Sequence, residues 1–405
     1  MAELLIRASP QDETLLRKAF GTDFQHTRWA VRPDRIVVDA HVPLRSKKIS
    51  ATARAAGVGY LIDPQTYFFQ DNQPAGDRWA ELPFGIPRAL TPEEATRPGF
   101  LADLTHRVLD YQLRYDATAL IPPYVHIDRP GSEWVDVQAA MWDHAVEYLD
   151  TLSVGLPVVA VMALGWRMLH PTQGIEALAP ALRALADLAP RELALATSKA
   201  DQGAHPEERA IELVLMIERL SNDYAVLLWQ QGRLGELAVA AGARGYETGV
   251  GWRERCDLLA TMRSRRHQPE PGGFSPRPVY VSSLGQSIPR RSLDELRQHR
   301  DVWTRLICTD LDCCPAGGSA LIENGAAHTV IQRARRIRDL GAIDRSVWRW
   351  QILAEHSEQG LELAARINRL RAAGALTYRI NTGSLHAIRA VSDRRRQDGR
   401  STGIA

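Results

Sequence analysis

Short apolar runs alternate with helix-like stretches over roughly the first 290 residues of the chain. The segments carrying these runs, in chain order, are RIVVDAHV, YLIDPQTYFFQ, ALIPPYVHI, PVVAVMALG, ELALATSKAD, YAVLLWQQG, GYETGVG and RPVYVSSLG. The stretches between them carry apolar residues at every third or fourth position, as amphipathic helices do. The pattern therefore predicts eight strands and seven helices arranged as parallel β-α-β units.

Eight such units predict an α/β fold of the (β/α)8 TIM-barrel type. A doubly wound open sheet is the alternative, but it usually has a glycine-rich turn after its first strand. The turn after the predicted first strand reads DAHVPLRSKK and contains no glycine. We expect a catalytic barrel over residues 1–289 and a helical, zinc-binding C-terminal appendage over residues 290–405.

Composition and charge narrow the class of protein. The chain is 45% hydrophobic and 24% charged, which excludes a mainly disordered or fibrous protein. It has no apolar run long enough to span a bilayer and no secretory leader pattern, so we expect a cytoplasmic protein with no membrane contact. Residues 290–405 hold 20 arginines against 13 acidic residues, a net charge of +7. This region is expected either to contact a polyanion or to present arginines on solvated helix faces.

Carboxylates follow several of the predicted strands, where barrel enzymes carry their chemistry. Asp39 ends the first predicted strand, Asp63 the second and Glu247 the seventh. Carboxylates at such positions suit acid–base or nucleophilic catalysis. His41 lies two residues after Asp39 and is expected on the same strand face. The alternatives are a turn or cap role for Asp63 and a rim hydrogen bond between Asp39 and His41.

Aromatic, amide and glycine residues near the same strand ends predict a pocket for a planar substrate. Glycines there permit close approach of a ligand to the backbone. The predicted substrate-binding residues are Tyr67, Phe68, Gln70, Tyr124, His126, Gly249 and Gly251.

Three of the four cysteines fall within seven residues and predict a metal site. Cys308, Cys313 and Cys314 precede His328 with the spacing C-x4-C-C-x13-H. Three thiolates and one imidazole form a closed tetrahedral shell for a structural zinc ion. The alternative is a set of small buried cysteines beside a surface histidine.

The predicted barrel, the carboxylates at its strand ends and the cysteine–histidine spacing together resemble the tRNA-guanine transglycosylase superfamily. That family combines a (β/α)8 barrel with a C-terminal zinc subdomain of three cysteines and one histidine. The segment DPQTYFFQ is similar to the family motif D-S-G-G-F-Q, with Asp63 matching its aspartate and Gln70 its glutamine. GYETGVG is loosely similar to the family's glycine-rich strand ends. In its departures from the family motifs, the sequence resembles the branch that inserts 7-deazaguanine derivatives into DNA.

The resemblance implies a glycosyltransferase, specifically a pentosyltransferase, that replaces guanine through a covalent glycosyl-enzyme. It implies DNA as the substrate, with tRNA as the other choice, and a second copy of the chain or a helper protein as a partner. Asp63 would supply one carboxylate, and Asp39, Glu247 or Asp310 the second. Tyr67, Phe68 and Tyr124 would line the pocket for the unstacked base.

Two alternative functions remain open at the level of sequence. Lys199, one of only four lysines, follows the fifth predicted strand and would form a Schiff base in a lyase or aldolase. The predicted eighth strand, VYVSSLGQ, has no carboxylate where the transglycosylase family carries its nucleophile. That departure favours a non-catalytic, nucleic-acid-binding barrel.

Overall fold

A sheet of eight parallel strands forms the centre of the protein. The computed structural model describes residues 2–22, 28–72, 74, 77–152, 155–170, 173–266 and 276–401, with side chains to residue 398. The strands of the sheet are β1 (Glu3–Ala8), β2 (Arg35–Asp39), β3 (Gly59–Asp63), β4 (His126–Ile127), β5 (Val159–Gly165), β6 (Glu192–Ser198), β7 (Ala225–Leu228) and β8 (Gly245–Gly249). Their order is β3-β2-β1-β8-β7-β6-β5-β4. This order is that of a TIM-type barrel, in which β1 pairs with both β2 and β8.

Backbone contacts link the two ends of the sheet, β3 and β4. The Thr118 amide donates to the carbonyl of Tyr60 on β3 at 2.8 Å. Two residues later, Leu120 forms a parallel bridge with Val158, next to β5. The segment before the short strand β4 therefore connects β3 to β5 and brings all the strand ends around one mouth.

Helices cover the outside of the sheet because each crossover must bury an apolar stripe against the strands. The helices of the barrel are α1 (Glu13–Phe20), α2 (His41–Arg45), α3 (Lys48–Ala56), α4 (Pro92–Ala95), α5 (Phe100–Arg114), α6 (Trp134–Thr151), α7 (Ala179–Leu188), α8 (Pro206–Leu220), α9 (Gly235–Ala240) and α10 (Leu258–Ser264). Fully buried side chains such as Trp142, Leu164 and Leu195 fill the core between helices and sheet.

The predicted barrel fold is confirmed, but the predicted strand numbering is wrong by one. The chain begins the sheet with β1, whose sequence ELLIRA was not recognised as a strand. Its apolar run is short and is interrupted by Arg7, so it lacks the usual signal of a buried strand. The predicted eighth strand instead pairs antiparallel with the segment that follows it. Gly285, with a φ of +60°, ends the short turn that reverses the chain there.

The C-terminal part consists of a β-hairpin and six helices. Its elements are β9 (Val279–Val281), β10 (Gln286–Ile288), α11 (Arg290–Leu296), α12 (Arg300–Leu306), α13 (Gly318–Glu323), α14 (Gly325–Gly341), α15 (Ser346–Ala372) and α16 (Gly383–Ser401). The hairpin residues pack with Leu293, Leu321 and Leu363 in a core of their own. The hairpin therefore lies with the appendage, while the boundary at residue 289 stays a prediction from sequence.

Three helices of the appendage dock on the barrel. Helix α14 packs against β1 and α9, helix α15 packs against α9, and helix α16 packs against α8. Among the described helices, none is both long enough and apolar enough to cross a membrane.

Candidate functional site: the barrel mouth and a cysteine–histidine cluster

A buried arginine holds three carboxylates at the mouth of the barrel. The guanidinium of Arg7, on β1, lies 2.8 Å from Asp39 Oδ1, 2.7 Å from Asp63 Oδ2 and 2.9 Å from Glu247 Oε1. The four residues are at most 3% exposed. Ion pairs with the three carboxylates outweigh the effect of burial, so the pKa of Arg7 is raised well above its ordinary value. Three of the sequence-predicted site residues are thus brought together by a fourth residue that the sequence analysis missed.

Four hydrogen bonds hold the carboxylate of Asp63 in place. Its carboxylate accepts hydrogen bonds from Arg7, from the Tyr124 hydroxyl at 2.8 Å and from the indole Nε1 of Trp229 at 3.0 Å. The backbone amide of Gln65 donates a fourth at 3.1 Å. Because the side chain is fully buried and its lone pairs are used, Asp63 is built to orient its neighbours rather than to meet a substrate.

The pKa values of Glu247 and Asp39 are shifted in opposite directions. Burial raises the pKa of Glu247, although Arg7 and the amide of Gln230 act against the shift. Burial also acts to raise the pKa of Asp39, but ion pairs with Arg253 and Arg7 outweigh it and hold that pKa well below its ordinary value. Among the described residues, Asp39 accepts hydrogen bonds only from these two guanidinium groups, which leaves part of its acceptor capacity unused. Arg253 is about half exposed and covers Asp39 on the solvent side.

Four residues with left-handed backbone follow barrel strands. Gln65, Lys199, Gln230 and Arg253 have φ values between +48° and +60°, which costs a non-glycine residue about 1 kcal/mol or more. Two of the four use this conformation to aim an amide at a buried carboxylate: Gln65 at Asp63 and Gln230 at Glu247. Such strain concentrates at functional sites, so it marks this end of the barrel as the functional one.

His41 lies at the mouth but not on the strand. β2 ends at Asp39 and His41 begins helix α2, so the prediction that both share one strand face is wrong. The ring of His41 lies 4.6 Å from that of Trp79, and its Nδ1 has no hydrogen-bond partner among the described residues. Burial lowers the pKa of His41 to about 4, so the ring is neutral at neutral pH.

The predicted aromatic wall exists, but an arginine covers part of it. Tyr67 stacks near Phe68 and Tyr124, with ring centroids 4.5 and 5.8 Å apart, and all three rings are at most 3% exposed. The guanidinium of Arg265 lies 4.0 Å from the ring centre of Phe68 and 3.7 Å from that of Trp79. Arg265 thus occupies the face on which a planar base would stack.

Gln70 and His126 join the loops after two strands. The Gln70 amide donates to the carbonyl of His126 at 3.0 Å and accepts from its backbone N–H at 2.6 Å. Burial lowers the pKa of His126 to about 4, and its Nε2 has no partner among the described residues. Both predicted residues therefore lie at the mouth, where Gln70 fixes the loop and His126 keeps a free ring nitrogen.

The two predicted glycines serve the chain itself. A Cβ on Gly249 would overlap the carbonyl of Trp252, and one on Gly251 would crowd the carbonyl of Pro278. Their small size lets the segment after β8 fold back and place Arg253 over Asp39. Close approach of a ligand is not needed to explain them.

The cysteine–histidine prediction finds a compact cluster in the appendage. The Sγ atoms of Cys308 and Cys313 lie 3.7 Å apart, and Nδ1 of His328 lies 3.5 Å from Cys313 Sγ and 3.4 Å from Cys314 Sγ. All four ligand atoms fall within 4.8 Å of one another, so the group could bind a metal ion. A tetrahedral ion with bonds of about 2.3 Å to sulfur and about 2.0 Å to nitrogen requires separations of about 3.8 and about 3.5 Å. The three separations given above match these values.

The groups around the cluster also fit a metal centre. Nε2 of His328 lies 2.9 Å from the carbonyl of Tyr280, which fixes the tautomer and turns Nδ1 towards the sulfur atoms. Gln332 donates to Cys313 Sγ at 3.3 Å and to Asp310 at 2.7 Å. Asp310 also pairs with Arg335, so it belongs to the surroundings of this cluster rather than to the carboxylates of the mouth.

Lys199 lies at the rim of the barrel mouth, whereas the predicted eighth strand lies in the appendage. Lys199 follows β6 at the rim of the mouth, where its Nζ lies 3.5 Å from Asp257. Ser282, Ser283 and Gln286 belong to the hairpin of the appendage, and Gln286 donates to the carbonyl of Asn381. The last strand of the barrel is instead β8, which carries Glu247.

Comparisons with known proteins add little to this geometry. No protein-family model matches the chain, and no curated protein matches it. Among solved structures, the chain is similar to orotidine 5'-monophosphate decarboxylase from Sulfolobus solfataricus. That likeness has a TM-score of 0.34 at 12% identity, over 66% of this chain and 96% of the other. The assignment of a barrel therefore rests on the strand order described above.

Proposed function

We propose that the protein is a pentosyltransferase that replaces guanine in a nucleic acid with a 7-deazaguanine derivative. DNA is the first substrate to test and tRNA the second. The observation that carries the proposal is the pair of carboxylates Asp39 and Asp63, which lie in register on neighbouring strands and share Arg7. In this pair Asp39 would meet the substrate, while Asp63 would fix Arg7 beside it.

Asp39 is the proposed nucleophile. It is the carboxylate with unused acceptor capacity, and its two arginine partners keep it ionised. Its oxygen bonds to C1′ as the bond from C1′ to N9 of guanine breaks, and the leaving guanine keeps that electron pair on N9 and takes a proton from solvent water. Asp63, held by four hydrogen bonds, fixes Arg7 and through it the position of Asp39.

The second step reverses the first with a different base. N9 of the incoming base bonds to C1′, the bond from C1′ to Asp39 breaks, and the N9 proton passes to a neutral acceptor. His41 has the required charge state and a ring nitrogen without a partner among the described residues. One proton is taken up and one released over the two steps, so no further reagent is needed. Arg253 and Arg265, which cover Asp39 and the aromatic wall, must move to admit the nucleotide.

We further propose that the metal of the cysteine–histidine cluster is zinc and that its role is structural. Cys308, Cys313, Cys314 and His328 would fill all four tetrahedral positions, leaving none for a substrate. The cluster would join the loop before α13 to helix α14, which packs on the barrel. A Cys3His group at this place is what the resemblance to the transglycosylases anticipates.

Incorporation of labelled base tests the proposed function directly. Purified protein is incubated with labelled guanine, or with a labelled 7-deazaguanine derivative, in the presence of bulk DNA or bulk tRNA. We expect label in one of the two polymers and none in polymer without protein. Absence of label from both, in protein that is folded and carries its metal, would reject the proposal.

A second candidate function depends on Lys199. This lysine lines a large cleft beside the mouth, which suits a Schiff-base lyase or aldolase. Its ion pair with Asp257 acts against that role, because the amine must lose its proton to attack a carbonyl. Borohydride trapping of a carbonyl compound on the wild type but not on Lys199→Ala would favour this candidate. A chain that binds nucleic acid and shows neither reaction would instead be the non-catalytic barrel.

A further inference from the structure

A large cleft opens beside the barrel mouth and is separate from the carboxylate cluster. It has a volume of about 1010 Å³ and lies between the loops after β5 and β6, the start of α8, and α16. Both loops follow the carboxyl ends of their strands, so the cleft and Asp39 lie at the same end of the barrel. The cleft is connected to the mouth through the loop after β8, since the Lys199 amide donates to the carbonyl of Cys256.

One wall of the cleft is an exposed tryptophan. Trp166 directly follows β5 and is 40% exposed, although large aromatic side chains are normally buried. The preceding residue, Gly165, packs directly against the backbone of Asp128, where a Cβ would overlap. The guanidinium groups of Arg167 and Arg209 each lie 5.1 Å from the ring centre of Trp166. The result is an aromatic face flanked by positive charge.

The charged side chains of the other walls are mostly cationic. Four arginine or lysine side chains and two glutamates line the cleft: Arg167, Lys199, Arg209, Arg394, Glu208 and Glu212. Arg209 is mainly structural, since it donates to the carbonyls of Lys199 and His205. Neither Arg167 nor Arg394 forms an ion pair within the part of the chain that the structure describes.

The C-terminal appendage supplies part of this charge. Arg394 lies on α16, which packs against α8 of the barrel. It is one of three consecutive arginines, and its neighbour Arg395 pairs with Glu218 of α8. That ion pair ties α16 to α8 beside the cleft and helps to leave the neighbouring Arg394 facing it. The positive net charge of residues 290–405 thus reaches the barrel mouth at this point.

We propose that this cleft binds a single-stranded segment of nucleic acid. A base stacks on Trp166 while Arg167 and Arg394 contact phosphates on either side of it. An aromatic face within a cationic groove is the combination by which proteins hold single strands without reading their sequence. The choice of a nucleic acid rests on the proposed function; the cleft would hold nucleotides next to the one presented to Asp39.

Fluorescence anisotropy with labelled single-stranded DNA and RNA oligonucleotides tests this inference without any catalytic step. Trp166→Ala should weaken binding of the oligonucleotides at least about five-fold, the usual effect of removing one stacking partner. Trp348→Ala is the matched control, because Trp348 is also exposed, at 56%, and lies outside the cleft. Inorganic polyphosphate, which has phosphates but no bases, should compete with equal strength for wild type and Trp166→Ala.

The arginines are tested by the salt dependence of binding. Arg167→Ala and Arg394→Ala should each weaken binding and reduce the slope of log Kd against log salt by about 1. Arg183→Ala, an exposed arginine on α7, should change neither quantity.

The outcomes separate this inference from the proposed function. If Trp166→Ala, Arg167→Ala and wild type bind the oligonucleotides with equal affinity, the proposal that the cleft binds nucleic acid is overturned, even if base exchange is observed. Equal loss for oligonucleotides and polyphosphate in Trp166→Ala would also overturn it, since stacking would then play no part. The cleft variants losing affinity in a protein without exchange activity would support the cleft while the proposed function fails. The preferred polymer, DNA or RNA, identifies the source of the strand.

Discussion

Arg7 is the residue on which the carboxylate cluster depends. Three acidic groups buried within reach of one another would repel and take up protons, because transfer from water disfavours their charged forms. One planar guanidinium contacts all three, with its Nε and both Nη atoms engaged. A lysine at the same position would offer a single point charge and could not hold this geometry.

Replacing Arg7 with methionine should therefore destabilise the barrel strongly. Removal of one partner of a buried ion pair typically costs about 3–5 kcal/mol of unfolding free energy. Arg253→Met is the matched control, because Arg253 is half exposed and its ion pair is with Asp39. The loss of unfolding free energy in Arg253→Met should be clearly smaller than in Arg7→Met. Urea unfolding followed by circular dichroism measures both.

The pH dependence gives a second readout for Arg7→Met. Without the guanidinium, the folded-state pKa values of the buried carboxylates rise above their unfolded values, so the folded state binds more protons. Stability lost at pH 7 should then be partly regained on acidification to about pH 5. A loss of stability that stays constant over this range would contradict the charge-based account.

Two buried histidines predict a different pH response in the wild type. The pKa values of His41 and His126 are lowered to about 4 by burial, so the unfolded chain binds more protons below about pH 6.5. The unfolding free energy should fall as pH drops from about 6.5 to about 4, by about 1–3 kcal/mol per histidine. His126→Gln should flatten this fall, whereas His144→Gln, on the outer face of α6, should leave it unchanged. An unaltered slope in His126→Gln would refute the assignment.

Some residues of the carboxylate cluster could be predicted from the sequence, and others could not. Asp39, Asp63 and Glu247 could be predicted because barrel enzymes carry their chemistry at the carboxyl ends of their strands. Arg7 could not, since it occupies a strand too short to be recognised and its meaning depends on residues 32 to 240 positions away. Nor could spacing alone show that Asp63 uses its whole carboxylate on internal hydrogen bonds, whereas Asp39 does not.

At the scale of elements, the cysteine–histidine cluster links the appendage to its own hairpin. Cys308, Cys313 and Cys314 lie in the connection between α12 and α13, His328 lies on α14, and its imidazole contacts the carbonyl of Tyr280 on β9. Local spacing was enough to predict this cluster, because three of its four ligands are adjacent in the chain. The hairpin was not predicted, since its first strand has the same apolar pattern as a barrel strand.

Metal analysis tests the cluster. Purified protein should contain about one zinc ion per chain, and Cys314→Ala should lose it. Cys256→Ala is the matched control, because Cys256 is equally buried but lies beside the barrel mouth, so its zinc content should stay at one. Cys314→Ala should also be cut faster by protease in residues 307–328, whose packing the ion would fix. Equal zinc content in the two variants would argue against this ligand set.

At the scale of the whole molecule, the fold brings three features to one end of the barrel. The carboxylates lie at the centre of the mouth, the aromatic wall lies beside them under Arg265, and the cationic cleft lies at the rim where α16 meets α8. The class of fold could be predicted from alternating strands and helices. The approach of α16 to the barrel could not, because it depends on packing between helices whose joining ion pair, Arg395 with Glu218, spans 177 residues of the chain.

The most direct measurement is incorporation of labelled guanine into DNA and tRNA by wild type, Asp39→Asn and Asp187→Asn. Asp187 is an exposed aspartate near the end of α7, before the amino end of β6, and serves as the matched control. We predict incorporation by wild type and Asp187→Asn, and a loss of at least about a thousand-fold in folded Asp39→Asn, because the amide cannot form the glycosyl intermediate. Incorporation by Asp39→Asn at the wild-type rate would contradict the account, since the reaction would then proceed without its proposed nucleophile.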